Sequence, residues 1–471
     1  MKKRTARILT GIAIVLVALG MTYAIWVGVS VARLRRAYAA LERDGRPMRS
    51  EQVIPPAVED TENAALLYES AALLLKAMPA RWDDVPDEAA LSPEEASARD
   101  KAKNLLGHLS YLSNAFLKES LAQDKRAKLE LLLGEDIVSE ALGIMRLGTE
   151  RPSCRFDLDY EAGLNMILSP VVDVRDFLRI LGAKARLEAE AGRAQNAWDL
   201  ALTELRLADA LRTEPTIISQ VIRIFAVGNA CQILQRVCAV APPSRAQYET
   251  LTALLEGLDD ITPIVASMDA ERVLVGEWAF GQSKDELKQT IRQYVYEDEE
   301  YAPGILLWFR IQRICFKPAL LADHAAYLRF MHGSTRLFKG PSSRSDFEAL
   351  ERLEWIGEQR HPLTGVLAPS MPRLVAMHGR MTAEIRITRA GLALLRYKQE
   401  RGTWPETLGV LGLEGLKDPF IGGPLRYRSQ GDGFVLYSVG DDEEDNGGAA
   451  KKPKQEKGFD IVWHFPGQTA G

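Results

Sequence analysis

The stretch LYSVGDDEEDNGG, Leu436–Gly448, holds the residues whose types and spacing most suggest chemistry. Five consecutive acidic residues, Asp441–Asp445, follow a strand-like run, and Ca²⁺ is bound by carboxylate and carbonyl oxygens in constrained loops of this kind. Asp442-x-Glu444-x-Asn446-Gly447 satisfies the first half of an EF-hand loop, but the position that requires glutamate is Pro453. The EF-hand interpretation therefore fails, and a different cation-binding loop and a solvated turn both stay open.

The rest of the chain contains no recognisable catalytic combination. It lacks the G-x-S-x-G, Walker, dinucleotide-binding glycine and H-E-x-x-H patterns, and its histidines are scattered. No C-x-x-C pair occurs among its cysteines. Cys231 and Cys238 would stand ~10.5 Å apart on a helix, beyond the ~7 Å limit for a disulfide, so we expect them on one buried face. We predict no catalytic or cofactor-binding residue, and an enzyme site assembled from scattered helical residues stays open as an alternative.

The charge balance bears on the class of partner. Lys and Arg number 59 against 64 Asp and Glu, which gives a net charge of -5. Surfaces that bind nucleic acid need clustered positive charge interleaved with aromatic residues, and the sequence has no such stripe. We therefore expect no nucleic-acid partner.

An apolar run near the N-terminus predicts a transmembrane anchor. Ile8–Ala32 contains no charged residue and would form a helix of ~37 Å, enough to cross a hydrocarbon core of ~30 Å. Signal peptides have shorter apolar cores, so we expect this helix to stay uncleaved. Because the first span usually sets topology, we predict a cytoplasmic basic tail, 1–7, and ~440 residues on the far side of the membrane. The proline-containing segment 33–59 is predicted to be a linker.

Residues 60–369 show helical periodicity almost throughout, which predicts a multi-helix bundle or an irregular αα-solenoid. Strands are not expected before about residue 424. The helical patterns cover 60–78, 94–122, 124–147, 170–192, 194–212, 215–240, 244–258, 262–277, 283–297, 303–335 and 344–358.

One helical segment carries a finer signal. Within Ala185–Leu205, Gly192 and Ala197 resemble the turn of a tetratricopeptide repeat, where small residues let two helices pack closely. Glu204 and Asp209 depart from that repeat, and the sequence has no second copy at a spacing of about 34 residues. We therefore prefer a generic αα-hairpin.

From residue 370 the pattern changes to a long helix followed by β-rich runs separated by turn residues such as Gly431-Asp432-Gly433. The order of motifs resembles the globular part of the type II secretion major pseudopilins, and a C-terminal module of membrane-anchored bacterial envelope proteins. The matching residues are Tyr397, Gly402-Thr403-Trp404-Pro405, Leu408, Leu411, Asp418-Pro419-Phe420, Gly423-Pro424-Leu425, Leu436–Gly440 and Asp460-Ile461. The resemblance implies an α+β module over 370–471, a long helix packed on a short antiparallel sheet.

In the secretion pseudopilins the loop after the matching strand binds calcium, so the resemblance implies a calcium site around the acidic loop 441–445. The residues nearest the family's acidic positions are Asp442, Asp445 and Asp460, with Asp441 and Ser438 as neighbours. Two features depart from the family: Glu443 stands where glycine is common, and Ala449–Lys457 is a basic insertion. The alternative is a solvated β-loop in which nearby lysines pair with the acids.

These patterns predict a mainly α-helical, single-pass protein of a bacterial inner membrane, with the bulk of the chain in the periplasm. Pseudopilins carry a glutamate near the start of their apolar helix, and Ile8–Ala32 has none. We therefore expect the module to be reused and not assembled into a filament. The expected role is structural or protein-interacting, with a protein partner in the envelope. The alternatives are a secretion-system-associated component and an envelope enzyme with its site in the helical region.

Overall fold

The computed structural model is mainly helical, with an apolar N-terminal helix and a small antiparallel sheet near the C-terminus. It describes residues 2–80, 103–118, 121–283, 285–289, 316–338, 348, 352, 361–413, 415–449 and 459–466. Several predictions fall outside these residues, namely nearly all of the helical pattern 344–358, most of 283–297, parts of 94–122 and 303–335, and most of the insertion 449–457.

Helix α1, Lys2–Arg43, runs unbroken from the basic tail through the apolar run and beyond it. The helix is long and apolar enough to span a membrane, and its large apolar side chains from Ile8 to Val29 are exposed except for the half-buried Val27. One face of the following turns is covered, with Ser30, Ala37 and Leu41 buried at the spacing of a single helical face.

The neighbour that covers this face is helix α12, Phe316–Leu337. The structure therefore differs from the linker predicted over 33–59. The helix continues to Arg43 because apolar residues on its inner face find cover in the body, and a short 3₁₀ turn at Ser50–Gln52 follows.

The helical body combines pairs of helices that follow each other along the chain with pairs that are further apart in it. The pattern predicted over 124–147 is two helices that meet at Gly134. The helices of the body are α2 Ala64–Lys76, α3 Leu105–Leu117, α4 Gln123–Leu133, α5 Asp136–Gly148, α6 Ser169–Glu190, α7 Ala194–Ala210, α8 Ile217–Val240, α9 Arg245–Leu258, α10 Thr262–Ala270, α11 Glu277–Gly281 and α13 Pro362–Leu367.

Helix α8 is the central helix of this body. Its length and composition would also allow a membrane span, but most of it is buried inside the protein. Cys231 and Cys238 lie on its buried positions as free thiols, as the sequence predicts. We therefore assign α8 to the core.

The segment that resembles a tetratricopeptide turn forms a helix pair, α6 and α7, joined at Gly192 with φ 74°. Glu204, which departs from the repeat pattern, is 1% exposed and lies against Gly182 of the facing helix. Asn229 of α8 donates a hydrogen bond of 2.7 Å to Glu204 Oε1. The departing residue is thus a buried carboxyl at the meeting point of three helices.

The C-terminal module consists of helix α14, Met371–Arg401, and, within the described residues, three strands in the order β1-β2-β3. The strands are antiparallel and comprise β1 Arg426–Gln430, β2 Gly433–Ser438 and β3 Ile461–Phe465. The two-residue turn Gly431-Asp432 joins β1 to β2, which matches the predicted hairpin. Trp463 of β3 packs over Gly391 of α14, where a Cβ atom would lie 1.9 Å from its ring. The glycine therefore sets how closely the helix approaches the sheet.

Candidate functional site: the acidic loop and the junction of α1

Asp460 is the innermost of the predicted calcium ligands. It precedes β3, is 2% exposed, and accepts hydrogen bonds from the backbone N–H groups of Asn446 (3.3 Å), Gly448 (2.7 Å) and Ala449 (3.2 Å). Burial raises the pKa of Asp460 above its ordinary value, although these N–H groups act in the opposite direction. The side chain fastens the returning arm of the loop to the start of β3.

Asp445 lies on the same loop but points to different partners. Its Oδ1 accepts from the Gly447 N–H and from the Tyr437 hydroxyl, both at 3.0 Å, and its Oδ2 lies 3.3 Å from Arg426 Nε. The Gly447 N–H is the main reason that the pKa of Asp445 lies below its ordinary value. Asp445 therefore stays ionised, and it pairs with β1 and β2.

The other predicted residues also have partners within the protein. Asp441 accepts a hydrogen bond of 2.7 Å from Arg380 of α14, and Arg380 in turn lies over the Phe459 ring. Asp442 accepts from the N–H two residues further on at 3.2 Å. The buried Ser438 hydroxyl accepts from the N–H of Gly440 at 3.4 Å. Asp441 thus ties the loop to the helix, while Asp442 and Ser438 shape the local turn.

The structure brings the predicted residues into one loop, but their oxygens face N–H and O–H donors. Within the described part of the chain, no three His, Cys, Asp or Glu side chains form a set that could hold a metal ion. The loop as arranged does not fit a calcium site, since Asp445 and Asp460 would have to exchange their donors for the ion. The resemblance predicts calcium binding and the hydrogen bonds of the loop predict none, and a calcium titration decides between the two.

The backbone conformation of Glu443 bears on its departure from the pseudopilin pattern, in which glycine is common at this position. Its φ is 58°, and it is the single non-glycine residue with positive φ among the described residues. Glycine adopts this left-handed conformation without steric cost, whereas a residue with a Cβ does not. The loop therefore keeps the backbone shape that glycine would favour, at a position where this chain has a side chain.

A second polar cluster lies where α1 enters the body. The Tyr38 hydroxyl donates to Glu277 Oε2 at 2.7 Å, and His324 Nε2 lies 3.3 Å from the same oxygen. The His324 ring stacks on Phe280 with centroids 4.3 Å apart. Burial alone would raise the pKa of Glu277, but the bonds from His324 and Tyr38 outweigh it, so that the pKa lies below its ordinary value. We call Tyr38, Glu277 and His324 the junction cluster.

The residues around the junction cluster fasten the chain that follows α1. A π-helix, Glu271–Gly276, directly precedes Glu277, and insertions of this kind occur often at functional sites. Arg272 is 1% exposed and donates to the Pro47 carbonyl, and Arg46 pairs with Asp269 at 2.9 Å. The segment after α1 is therefore tied to the body by buried charges.

Sequence reasoning missed this junction because its members are far apart in the chain. Tyr38 is separated from Glu277 by 239 positions and from His324 by 286. One local signal was available, since Leu34, Ala37 and Leu41 continue an apolar helical face beyond the predicted span. Tyr38, Glu277 and His324 bond to one another, so the geometry supports fastening α1 to the body more than it supports an open catalytic site.

A scan against protein-family models gives no match for this chain, and neither do searches of curated proteins and of solved structures. The functional argument therefore rests on the residues and the fold.

Proposed function

We propose that the chain is a single-pass protein of a bacterial inner membrane whose body forms a structural or protein-interaction platform at the membrane surface. The observation that carries this proposal is the continuity of α1 from exposed apolar turns into packed turns. The exposed part, Ile8–Val29, is ~33 Å long as a helix, close to the thickness of a hydrocarbon core. The first buried residue, Ser30, would then stand at the edge of the membrane.

A helix that enters the body without a break holds the body at a fixed distance and angle. The junction cluster and the Arg46–Asp269 pair resist rotation of α1 against its neighbours. Arg33, Arg35 and Arg36 are exposed on the open face of α1, where long basic side chains suit a headgroup layer. This arrangement favours a rigidly mounted platform over a tethered, freely moving domain.

A secretion-system-associated role is the second candidate, and the C-terminal module favours it. The module packs a long helix on an antiparallel sheet, and Glu443 keeps the backbone conformation of a glycine. Filament assembly is disfavoured because α14 begins inside the body at Met371, which is fully buried, instead of continuing from the apolar helix. Co-purification with secretion machinery would support the association.

Topology is tested with reporter fusions after residue 60 and at residue 471, in cells that express the full chain. We expect periplasmic activity at both positions and retention in membranes after alkaline extraction. Cytoplasmic signals at both positions would contradict the proposed orientation.

For the interaction role, we expect chemical cross-linking of membranes to yield a larger complex, and recovery of the monomer alone would contradict it.

A further inference from the structure

A cleft of about 390 Å³ lies on the body, away from both sites described above. It forms where the chain after α1 meets the end of α5, the loop that follows it and the end of α7. Four arginines and one carboxylate contribute to its wall, and we call it the arginine cleft. These residues are Arg151, Arg155, Arg206, Arg212 and Asp209.

The positive charges in the arginine cleft exceed the negative ones. Arg212 Nε lies 2.8 Å from Asp209 Oδ1, so that pair is neutral. Arg151, Arg155 and Arg206 have no carboxylate within ion-pair distance among the described residues. Arginines on an open protein surface are solvated by water or paired with an acid. These three arginines instead line the same concave site.

Two of these arginines are held in place by the backbone. Arg151 donates to the carbonyls of Asp60 (2.8 Å) and Asn63 (2.6 Å), and Arg155 Nε donates to the Pro55 carbonyl at 3.0 Å. Carbonyl partners fix the guanidinium groups without neutralising their charge. A fixed guanidinium loses little side-chain entropy when it binds an oxyanion through its remaining N–H groups.

The wall also contains an unpaired hydroxyl. Tyr68 lines the cleft and is 2% exposed, and its hydroxyl oxygen has no hydrogen-bond partner among the described residues. This hydroxyl is itself inaccessible, so the guanidinium groups are the donors that a ligand in the cleft would meet. The buried acid Glu214 interacts with Arg155 but does not cancel its charge fully, because burial raises the pKa of Glu214 to about 7, although the hydrogen bond from Tyr160 and the charge of Arg155 act to lower it.

We propose that the arginine cleft binds a phosphate group. Three guanidinium groups that lie outside ion-pair distance of any described carboxylate suit a divalent oxyanion with several acceptor oxygens better than a single carboxylate. The phosphate belongs either to a small soluble molecule or to an anionic lipid headgroup, and the recognition chemistry is the same for both.

The test uses the full chain in nanodiscs of zwitterionic lipid. Inorganic phosphate is titrated against chloride at constant ionic strength while the thermal midpoint is recorded, and a parallel sample contains phosphatidylglycerol. Arg206→Gln removes one cleft arginine that is exposed and makes no bond to the described residues, so we expect this variant to fold. Arg245→Gln is the matched control, since Arg245 is an exposed helix arginine outside the cleft.

We expect phosphate to raise the midpoint of the wild type and of Arg245→Gln, with apparent affinity about tenfold weaker in Arg206→Gln. A rise with phosphatidylglycerol alone, again lost in Arg206→Gln, would identify a lipid headgroup as the source. No response to either probe would overturn the proposal. Equal responses in Arg206→Gln and Arg245→Gln would overturn it too, since binding would then not depend on the cleft.

Discussion

Replacing the buried Glu204 by glutamine is expected to change how stability depends on pH. The Glu204 carboxyl is 1% exposed, and one of its oxygens has no hydrogen-bond partner among the described residues. Burial raises its pKa from 4.5 to about 8, although the bond from Asn229 acts to lower it. At neutral pH the folded protein therefore holds a proton on this carboxyl that the unfolded chain releases.

The sign of the effect follows from this difference in bound protons. Between pH 4.5 and pH 8 the folded state binds more protons at Glu204 than the unfolded state does, so the free energy of unfolding falls as pH rises. At ~1.4 kcal/mol per pKa unit, this single group removes about 3 to 4 kcal/mol between pH 5 and pH 8. Glutamine is neutral throughout this range, so Glu204→Gln should lose that dependence.

The assay is urea unfolding of the detergent-solubilised full chain from pH 5 to pH 9. Near pH 5 we expect Glu204→Gln to match the wild type within ~1 kcal/mol, because a protonated carboxyl and an amide make similar contacts. By pH 8.5 the variant should be more stable by about 3 kcal/mol. Glu140→Gln, at an exposed position of α5, is the control and should follow the wild type. Parallel curves for Glu204→Gln and the wild type would refute the assignment of a protonated carboxyl.

Three further predictions concern the C-terminal module. Because φ of residue 443 is positive, Glu443→Gly should raise the free energy of unfolding by ~0.5 to 1 kcal/mol in urea titrations. An equal gain from Glu443→Ala would show that relief of backbone strain is not the cause. Gly391→Ala should lower the free energy of unfolding by ~2 kcal/mol or more in the same assay, since its Cβ would overlap the Trp463 ring. The control Gly228→Ala has open space for its Cβ and should be neutral or stabilising. Calcium titrated into the full chain should leave the thermal midpoint unchanged, because the loop carboxylates already accept protein donors, and a calcium-dependent rise would contradict this.

The apolar helix and the hairpin were readable from sequence because each depends on local chemistry. A run without charge predicts a span, and Gly431-Asp432 between two runs of β-formers predicts a two-residue turn. The end of α1 was not readable in the same way. Arg33, Arg35 and Arg36 follow the apolar run directly, and only contact with the distant α12 shows that the opposite face of the same turns is packed.

The buried charges could not be predicted for a different reason. An acid on a helix is solvated by default, so nothing in the segment around Glu204 indicates burial except its departure from the repeat pattern. Its cover depends on Gly182 in α6 and Asn229 in α8, which the sequence does not place beside it. The acidic loop shows the converse: its residues were identified from sequence, but whether their oxygens face an ion or N–H groups depends on the fold of the loop.

Helix α14 explains why the C-terminal module is better regarded as part of the body than as an appended unit. One side of the helix meets the sheet, where Gly391 admits Trp463. Another side packs along α8, where Gln235 donates to Glu384 at 3.2 Å and to Thr388 at 3.2 Å. Because both sides are buried in one continuous apolar cluster, the helix cannot leave the body without exposing α8. In the platform that we propose, α14 is therefore the inner wall that joins the sheet to the helical body.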